Sequence, residues 1–522
     1  MGRFWRYLLF WFPPLSTLHI WTPSARIGGG LYIGHGWGTV INAYRIGRNC
    51  VIGQNCTIGS RNLKEPVLED NVKVWAHAVV LGDIVVEENS NIGAGAVVVK
   101  NVPKSSVVVP AKSSIIRMNG EKVNISIIMR ILIITYWKET NPGTFLQAYG
   151  VQYALRQRFK NAEIKYLNYV GAIKETDSTK NEVKGAESTT DDLSIWQKIV
   201  HVLASKKRTK LFQQSQKKNM QWDERRFSMY LRSEEESVFT EYANSFNLIV
   251  IGSDTIIESC AINGKWGIMW PSTDIKTAKV YFAASADSAV NLLKHKELYR
   301  EQRKRVSDFK QIGLRDYVTM NFFKDCLNID IRQINKQPDP TFFLPISIFS
   351  ISERKTKCIP KGTGRVIFYH FDRCFKYRKP LAKLLHEKGY FLVTSEYDPN
   401  CDLSLKSLTP FEWAGLFAHC DYVLTERFHD TVFAMRYKIP VLTVDWRLRI
   451  MNDKMESKRL SILKDFDCTE NHSVIRTESE LPLIVEKLLT FKDGYKEKVT
   501  VKVNEMIERA NYLADRLVSL LE

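Results

Sequence analysis

The sequence predicts a multidomain protein in which a parallel β-helix precedes two α/β domains of the Rossmann type. A six-residue repeat of branched aliphatic residues runs through residues 27–98. From residue 129 onward, aliphatic runs alternate with amphipathic segments, the pattern of strands and helices around parallel sheets. The length of 522 residues also exceeds what a single hydrophobic core accommodates.

Composition excludes a disordered chain and favours anionic partners. Hydrophobic residues make up 44% of the sequence, which is ordinary for a folded protein. Lys and Arg number 75 against 57 Asp and Glu, a net charge of +18. Phosphorylated metabolites, nucleotide sugars, nucleic acid and lipid headgroups all fit this balance.

The nine cysteines are scattered and form no C-x-x-C pair. This spacing predicts reduced thiols in a cytoplasmic protein, with neither a disulfide framework nor a metal site.

The first 20 residues form an apolar segment. The run Phe4–Phe12 falls short of the roughly 20 residues that a membrane-spanning helix needs. A helix packed on a neighbouring domain or subunit and an interfacial membrane anchor both fit it. The second interpretation predicts peripheral association with the inner face of the cytoplasmic membrane.

The repeat defines a first folded domain over residues 21–115. Its aliphatic positions are Ile27, Ile33, Val40, Ile46, Ile52, Ile58, Leu68, Val74, Val80, Val86, Ile92 and Val98. Twelve positions predict four coils of three faces, with every aliphatic side chain on one central axis. Glycine follows six of them, and we expect it to supply the tight corners: Gly28, Gly34, Gly47, Gly53, Gly59 and Gly93. One extra residue between Ile33 and Val40, and a longer excursion from Ser60 to Val67, predict two loops that leave the prism.

The segments IGGGLYIGHGWGTVI, IGRNCVIGQNCTIG, IGAGAVVVK and VPAK resemble the serine-acetyltransferase branch of the left-handed β-helix acyltransferases. The resemblance implies a homotrimer with acetyl-CoA between neighbouring prisms. It further implies that His35 is a general base, that Ala76 and Ala94 present backbone groups to the pantetheine arm, and that Lys112 lies near the nucleotide phosphates.

Two positions depart from that family. Gly34 replaces the acid before the catalytic histidine, and Glu65-Pro66 stands where a second histidine is expected. His35 therefore fits either a catalyst or a surface residue, and His77, inside a regular hexad, fits a structural role.

A linker at residues 116–128 separates the repeat from two α/β halves, residues 129–360 and 361–522. The predicted strands are 131–135, 246–251, 279–284, 366–369, 391–394 and 422–425, and the predicted helices are 144–160, 291–309 and 376–388. Thr409-Pro410 with Glu412 predicts the capped start of another helix.

A basic run between Lys206 and Arg226 does not follow the aromatic spacing that is typical of a nucleic-acid platform. It fits a solvated helix face or a surface for a polyanionic glycan or lipid. We expect no nucleic acid as a partner.

Polar residues follow three of the strands, where ligands bind in parallel sheets. Asp254 follows the strand ending at Ile251, Arg315 follows Leu314, and Arg427 and His429 follow Thr425. Guanidinium forks match carboxylate and phosphate, so a small polyanion is the expected ligand.

The ordered segments NPGTFLQAYGVQYAL, LIVIGSD, YFAAS, IGLRD, DPTFFL and DYVLTERFHDTVFAMRYKIPVLTVD resemble the polysaccharide pyruvyltransferase family, whose members resemble GT-B glycosyltransferases. The resemblance implies that Arg315, Arg427 and His429 bind phosphoenolpyruvate and that Asp254 lies near the acceptor sugar. Asn141-Pro142-Gly143, Ile257 and Asp430 replace the usual N-Y-G, Trp and Gly.

The leading hypothesis is transfer of pyruvate from phosphoenolpyruvate, as a ketal, to a nucleotide- or lipid-linked sugar of a capsular or exopolysaccharide precursor. His429 either delivers a proton or binds phosphate. We expect no tightly bound cofactor. The alternatives are a sugar O-acetyltransferase that uses acetyl-CoA, and a repeat domain that serves only as a trimerisation scaffold.

Overall fold

The computed structural model describes residues 15–110, 114–118, 121–126, 129–171, 195–286, 292–293, 295–446, 457–491 and 494–521. Phe4–Phe12 and Lys112 lie outside these described residues. The chain divides into two compact units, residues 1–127 and 128–522. All nine cysteines are free thiols. In the part of the chain described, no helix is long and apolar enough to cross a membrane.

The first unit is a prism of short parallel strands in three sheets, as the repeat predicts. The first sheet holds β1 (His19–Ile20), β3 (Val40–Ile41), β6 (Thr57–Gly59), β9 (Val79–Leu81) and β12 (Val97–Val98). The second holds β4 (Arg45–Ile46), β7 (Val67–Leu68) and β10 (Val85–Val86). The third holds β2 (Tyr32–Ile33), β5 (Val51–Ile52), β8 (Lys73–Val74), β11 (Asn91–Ile92) and β13 (Val107–Val108).

The hexad residues from Ile46 to Val98 form the prism core, and Ile27 and Ile33 pack against its end. The prediction for Val40 is wrong: Ile41 pairs with Ile58 and is fully buried, whereas Val40 is only half-buried. The step from Ile33 to Ile41 is therefore two residues longer than the repeat, and the step from Ile41 to Ile46 is one residue shorter.

The corner prediction is also wrong for the hexad glycines, none of which has a positive φ. Four of them, Gly28, Gly47, Gly53 and Gly93, allow close packing between coils: a Cβ on Gly28 would lie 2.6 Å from a Gly47 backbone carbon, and one on Gly53 would lie 2.7 Å from the Ala76 nitrogen. Asparagines supply left-handed corners, because Asn tolerates this conformation. They are Asn49, Asn55, Asn71 and Asn89, with φ between 53° and 61°.

Two antiparallel strands, β14 (Ser114–Met118) and β15 (Glu121–Ser126), occupy the end of this unit. They overlap the segment for which the sequence predicts a linker.

The second unit contains two fully parallel sheets. The seven-stranded sheet has the order β18 (Trp222–Ser228), β17 (Glu163–Val170), β16 (Arg130–Ile134), β19 (Leu248–Ile251), β22 (Ala278–Ala284), β23 (Gln311–Leu314) and β24 (Ile334–Lys336). The six-stranded sheet has the order β27 (Leu403–Ser404), β26 (Phe391–Thr394), β25 (Val366–His370), β28 (Tyr422–Thr425), β29 (Val441–Asp445) and β30 (His472–Val474). A small hairpin pairs β20 (Ala261–Ile262) with β21 (Lys265–Trp266).

Helices of the second unit connect these strands, and most predicted positions are confirmed within a few residues. They are α1 (Pro142–Arg158), α2 (Ile195–Asn219), α3 (Ser233–Asn244), α4 (Tyr299–Val306), α5 (Tyr317–Asn321), α6 (Glu353–Thr356), α7 (Arg378–Glu387), α8 (Pro410–Leu416), α9 (Phe428–Arg436), α10 (Lys458–Asp465), α11 (Leu481–Leu489) and α12 (Tyr495–Ser519). The helix predicted at 291–309 is shorter, since α4 begins at Tyr299 after a 3-10 turn, Lys296–Leu298. The predicted cap at Thr409 is confirmed as a capping box with Glu412.

The last helix returns to the first half of this unit. Arg158 at the end of α1 pairs with Asp515 at 2.8 Å and donates to the backbone carbonyl of Asn511. Helix α12 thus ties the carboxyl-terminal end of the chain to the seven-stranded sheet.

Candidate functional site

A cleft of about 440 Å³ opens where both parallel sheets reverse their strand order. The order reverses between β16 and β19 in one sheet and between β25 and β28 in the other. Ligands of such sheets bind at the carboxyl ends of the strands beside this reversal. The lining residues at or after the carboxyl ends of these four strands include Asn141, Thr144, Asp254, His370, Arg427 and His429.

His429 lies in the first turn of α9, between the two sheets. Its Nε2 is 3.2 Å from Gln147 Oε1 and 3.7 Å from Asp339 Oδ2. Because both neighbours are acceptors, Nε2 carries the proton. Burial lowers the pKa of His429, and the nearby Asp339 carboxylate does not fully offset this effect. The ring is therefore neutral at neutral pH.

Gly143 is required beneath this ring. A Cβ at Gly143 would lie 2.2 Å from His429 Cγ, so any larger residue would displace the imidazole. The adjoining turn is fixed by Asn141, whose Oδ1 accepts from the backbone N–H groups of Gly143 and Thr144 at 2.9 and 3.3 Å. The Asn-Pro-Gly variant of the motif thus builds a tight N-cap for α1 against His429.

Arg315 lies beneath the cleft wall, and it is not among the residues that line the cavity. Its side chain is 2% exposed. Nη1 donates to Gln147 Oε1 at 2.7 Å and to Asp339 Oδ2 at 2.9 Å, and the guanidinium carbon stacks 4.4 Å from the Phe428 ring centroid. Nη1 of the guanidinium is thus occupied by protein acceptors, whereas Nε and Nη2 have no hydrogen-bond partner among the described residues.

Asp254 faces the cleft from the end of β19. Its φ is +80°, and its Oδ2 accepts from Thr144 Oγ1 at 2.8 Å. Burial raises the pKa of Asp254, but Arg315 and, in its protonated form, His429 more than offset this and leave it below the ordinary value. Asp254 is thus an ionised carboxylate beside a neutral imidazole.

Arg427 is the most accessible of the four predicted residues, with a side chain 42% exposed. It is the N-cap residue of α9, and its Nη2 is 3.5 Å from Asp372 Oδ2. A guanidinium in this position can contact an anion in the cleft directly.

His370, a residue that the sequence did not bring to attention, forms a charged pair with Asp430 on the same wall. His370, the last residue of β25, places Nδ1 2.7 Å from Asp430 Oδ2 and Nε2 3.8 Å from Glu396 Oε1. Burial lowers the pKa of His370, but Asp430 and Glu396 together raise it to about 10. This histidine is therefore an imidazolium at neutral pH. Its position at the end of a predicted strand could have identified it as a candidate site residue from the sequence.

Two further cations, Lys458 and Arg459, begin α10 and line the cleft. Arg459 Nη1 donates to the carbonyl of Glu426 at 2.6 Å, and Nη2 pairs with Asp445. Both residues lie more than ten positions beyond the end of β29, so inspection of the residues just after each strand misses them.

In the first unit, His35 is exposed in the insertion, with φ of 59°, and stacks on Trp37 with ring centroids 5.6 Å apart. Ala76 is half-buried and its carbonyl accepts from Gly95, whereas Ala94 is exposed. His77 has a positive φ and donates its backbone N–H to Gln54. The predicted excursion is a short turn in which Arg61 and Lys64 exchange backbone hydrogen bonds.

Across the described residues, no group of three or more His, Cys, Asp or Glu side chains could hold a metal ion.

Comparison with curated proteins finds serine acetyltransferases for the first unit. That of Staphylococcus xylosus is 42% identical over 106 residues, 19% of this chain and 49% of the relative. That of Synechococcus elongatus is 41% identical over 107 residues, 20% of this chain and 44% of the relative. The chain thus spans about half the length of the curated relatives that it matches.

Among solved structures, serine acetyltransferase from Neisseria gonorrhoeae in complex with serine is 37% identical over 16% of this chain and 37% of that chain, with a TM-score of 0.16. A TM-score this low adds nothing to the argument for the fold.

Family models cover both units. The bacterial transferase hexapeptide model (six repeats) matches residues 65–100. The polysaccharide pyruvyl transferase model matches residues 141–447, which hold all four predicted residues and every residue that lines the cleft except Lys458 and Arg459. Since this match spans more than half of the chain, the protein is a transferase that belongs to the polysaccharide pyruvyl transferase family.

Proposed function

We propose that the second unit transfers pyruvate from phosphoenolpyruvate to two hydroxyls of a sugar in a capsular or exopolysaccharide precursor. The observation that carries the proposal is the convergence of cationic side chains on one cleft beside a buried neutral histidine. Phosphoenolpyruvate bears a carboxylate and a phosphate, and charge-assisted hydrogen bonds to such groups are the strong ones. The two facing parallel sheets also support a GT-B-like arrangement.

In this proposal, Arg427, Lys458 and Arg459 hold the donor anions, since all three line the cleft. In the same proposal, Arg315 is a positioning residue, instead of the direct ligand that the family resemblance implies. It positions Gln147 and Asp339, which both neighbour His429 Nε2. Arg315 thereby sets the orientation of the imidazole.

The reaction forms two bonds from C2 of the donor to acceptor oxygens and breaks the bond between C2 and the phosphate oxygen. Of the two hydroxyl protons, one reaches the methylene carbon, which becomes a methyl group, and the other leaves with phosphate. A neutral His429 suits removal of a hydroxyl proton, because a general base must begin unprotonated. The carboxylates of Asp339 and Asp254 would then stabilise the imidazolium, and Asp254 lies on the acceptor side.

Phosphate release from phosphoenolpyruvate, measured with a panel of nucleotide- and lipid-linked sugars, tests the proposal. Arg427→Lys keeps the charge but loses the planar fork, so we expect a fall of about tenfold or more in donor affinity. Arg332→Lys, at an exposed site whose side chain is 87% exposed, is the matched control. Unchanged kinetics in Arg427→Lys, with an acceptor that the native protein pyruvylates, would place the donor elsewhere.

The first unit supports a second candidate function, sugar O-acetylation with acetyl-CoA in a homotrimer. Its support is the 42% identity to a serine acetyltransferase together with the exposed His35. We expect His35→Ala to abolish acetyl transfer and His77→Ala to retain it. Absence of acetyl-CoA binding by the native chain at millimolar concentration would favour a trimerisation scaffold instead.

A further inference from the structure

A second cavity of about 300 Å³ lies beside the cleft. We call it the side hollow and define it by Arg208, Arg373, Glu396, Tyr397, Lys406 and Arg427. Arg208, Glu396 and Arg427 also line the cleft, so the two cavities share a wall. A ligand that fills both would cross this wall.

We propose that the side hollow binds a diphosphate group that carries the acceptor sugar. The inference rests on the proposed function, because it assumes that the donor occupies the main cleft. The sugar would then lie in the cleft, with its diphosphate linkage reaching across the shared wall.

The charge balance of the side hollow supports a dianionic ligand. Arg208 pairs with Glu396 at 3.2 Å, and Arg427 lies 3.5 Å from Asp372. Arg373 and Lys406 form no ion pair with any described side chain. Two cations without a counterion match the two negative charges of a diphosphate diester.

A tyrosine ring restrains one of these two cations, Lys406, within the side hollow. Lys406 Nζ sits 4.3 Å from the centroid of the Tyr397 ring, which restrains the ammonium without neutralising it. Arg427 Nε is buried and has no hydrogen-bond partner among the described residues. A phosphoryl oxygen would satisfy such a donor.

Calorimetry with the full chain tests the proposal, using methyl diphosphate, uridine diphosphate and geranyl diphosphate as probes. Saturating phosphoenolpyruvate occupies the donor cleft throughout. We expect all three probes to bind the native protein under these conditions, and Arg373→Gln/Lys406→Gln to weaken them at least about tenfold. Tighter binding of uridine diphosphate indicates a nucleotide carrier, and tighter binding of geranyl diphosphate indicates a lipid carrier.

Lys217→Gln/Lys218→Gln is the matched control, because it removes the same charge from the exposed far end of α2. These lysines are about 18 Å along the helix from Ser205, which lines the side hollow. The control should bind the probes as the native protein does. Equal weakening in both double variants would show a general charge effect and overturn the proposal.

Loss of all probe binding when phosphoenolpyruvate is present would also overturn it, since the diphosphate would then occupy only the donor cleft. Donor affinity of Arg373→Gln/Lys406→Gln, measured separately, should equal that of the native protein and serves as the check on folding. If the native protein does not bind phosphoenolpyruvate, the proposed function fails on its own terms, whatever the diphosphate probes show.

Discussion

Replacing Arg315 with Met should destabilise the second unit by about 3–5 kcal/mol, the usual cost of breaking a buried ion pair. The guanidinium lies 2.9 Å from Asp339 and 3.9 Å from Asp254, and the Asp339 side chain has no exposed surface. With an effective dielectric constant of about 20, Coulomb's law gives attractions of roughly 6 and 4 kcal/mol at these distances. The substitution also removes the desolvation penalty of the buried guanidinium, which offsets part of the lost attraction.

Urea denaturation followed by far-ultraviolet circular dichroism measures this loss, because every described α-helix belongs to the second unit. Arg315→Lys keeps the charge, and we expect it to lose about 1–2 kcal/mol. Arg332→Met breaks an exposed pair with Asp330, so its change should stay within about 0.5 kcal/mol. If Arg315→Met had the same free energy of unfolding as the native protein, the claim that the Arg315–Asp339 pair stabilises the wall of the cleft would be refuted.

The pH dependence gives a second check on Arg315. Burial raises the pKa of Asp339, but His429 in its protonated form, Arg315 and the hydrogen bonds from Thr341 more than offset this and leave the pKa lowered. A lowered pKa contributes stability above the unfolded value of about 3.9 and loses it as the pH falls through the folded value. The difference between the native protein and Arg315→Met should therefore narrow as the pH falls below about 4, where Asp339 becomes protonated.

Three other outcomes are expected. Gly143→Ala should displace His429 and reduce turnover by about 100-fold, with a smaller effect on donor affinity. Steady-state kinetics measures both quantities, and unchanged turnover would contradict the close packing of Gly143 against His429. Asp430→Asn should cost about 3–5 kcal/mol of unfolding free energy near pH 6. The raised pKa of His370 contributes stability that is fully present below about pH 6.5 and is lost as the pH rises through about 10. The cost of Asp430→Asn should therefore shrink in alkaline solution. Light scattering of the full chain should give three times its mass of 60.3 kDa, and a monomer would refute trimerisation through the prism.

Local patterns predicted most of the second unit. The strands at 391–394 and 422–425 occur at the predicted positions, and so does the cap at Thr409, since short aliphatic runs and capping residues are read from neighbouring positions. The start of α4 was not predictable in this way. Charged residues upstream of Tyr299 extend the helical pattern, but the chain forms a 3-10 turn there.

The prism shows where a repeat alone is ambiguous. Val40 and Ile41 are adjacent aliphatic residues after an insertion, and both fit the pattern. Only pairing with the next coil selects Ile41, whose partner is Ile58. The hexad glycines are ambiguous for a similar reason, because a left-handed corner and a close approach between coils both require the absence of a Cβ.

At the site, proximity to strand ends was predictable and side-chain direction was not. Asp254, Arg427 and His429 all line the cleft. Arg315 turns inward because its partners Gln147 and Asp339 come from distant parts of the chain, and because Phe428 covers it. Such long-range contacts leave no periodic signal in the sequence.

Asp430 shows how a departure from the family pattern can carry structural meaning. In the sequence it is seen only to replace the usual glycine. In the structure its Oδ2 accepts from Thr425 Oγ1 at 2.6 Å and lies 2.7 Å from His370 Nδ1. A glycine at this position would remove the nearer of the two carboxylates that keep His370 charged, so the pKa of His370 would fall. The identities of residues 370 and 430 are therefore coupled, and the cationic wall of this cleft depends on both.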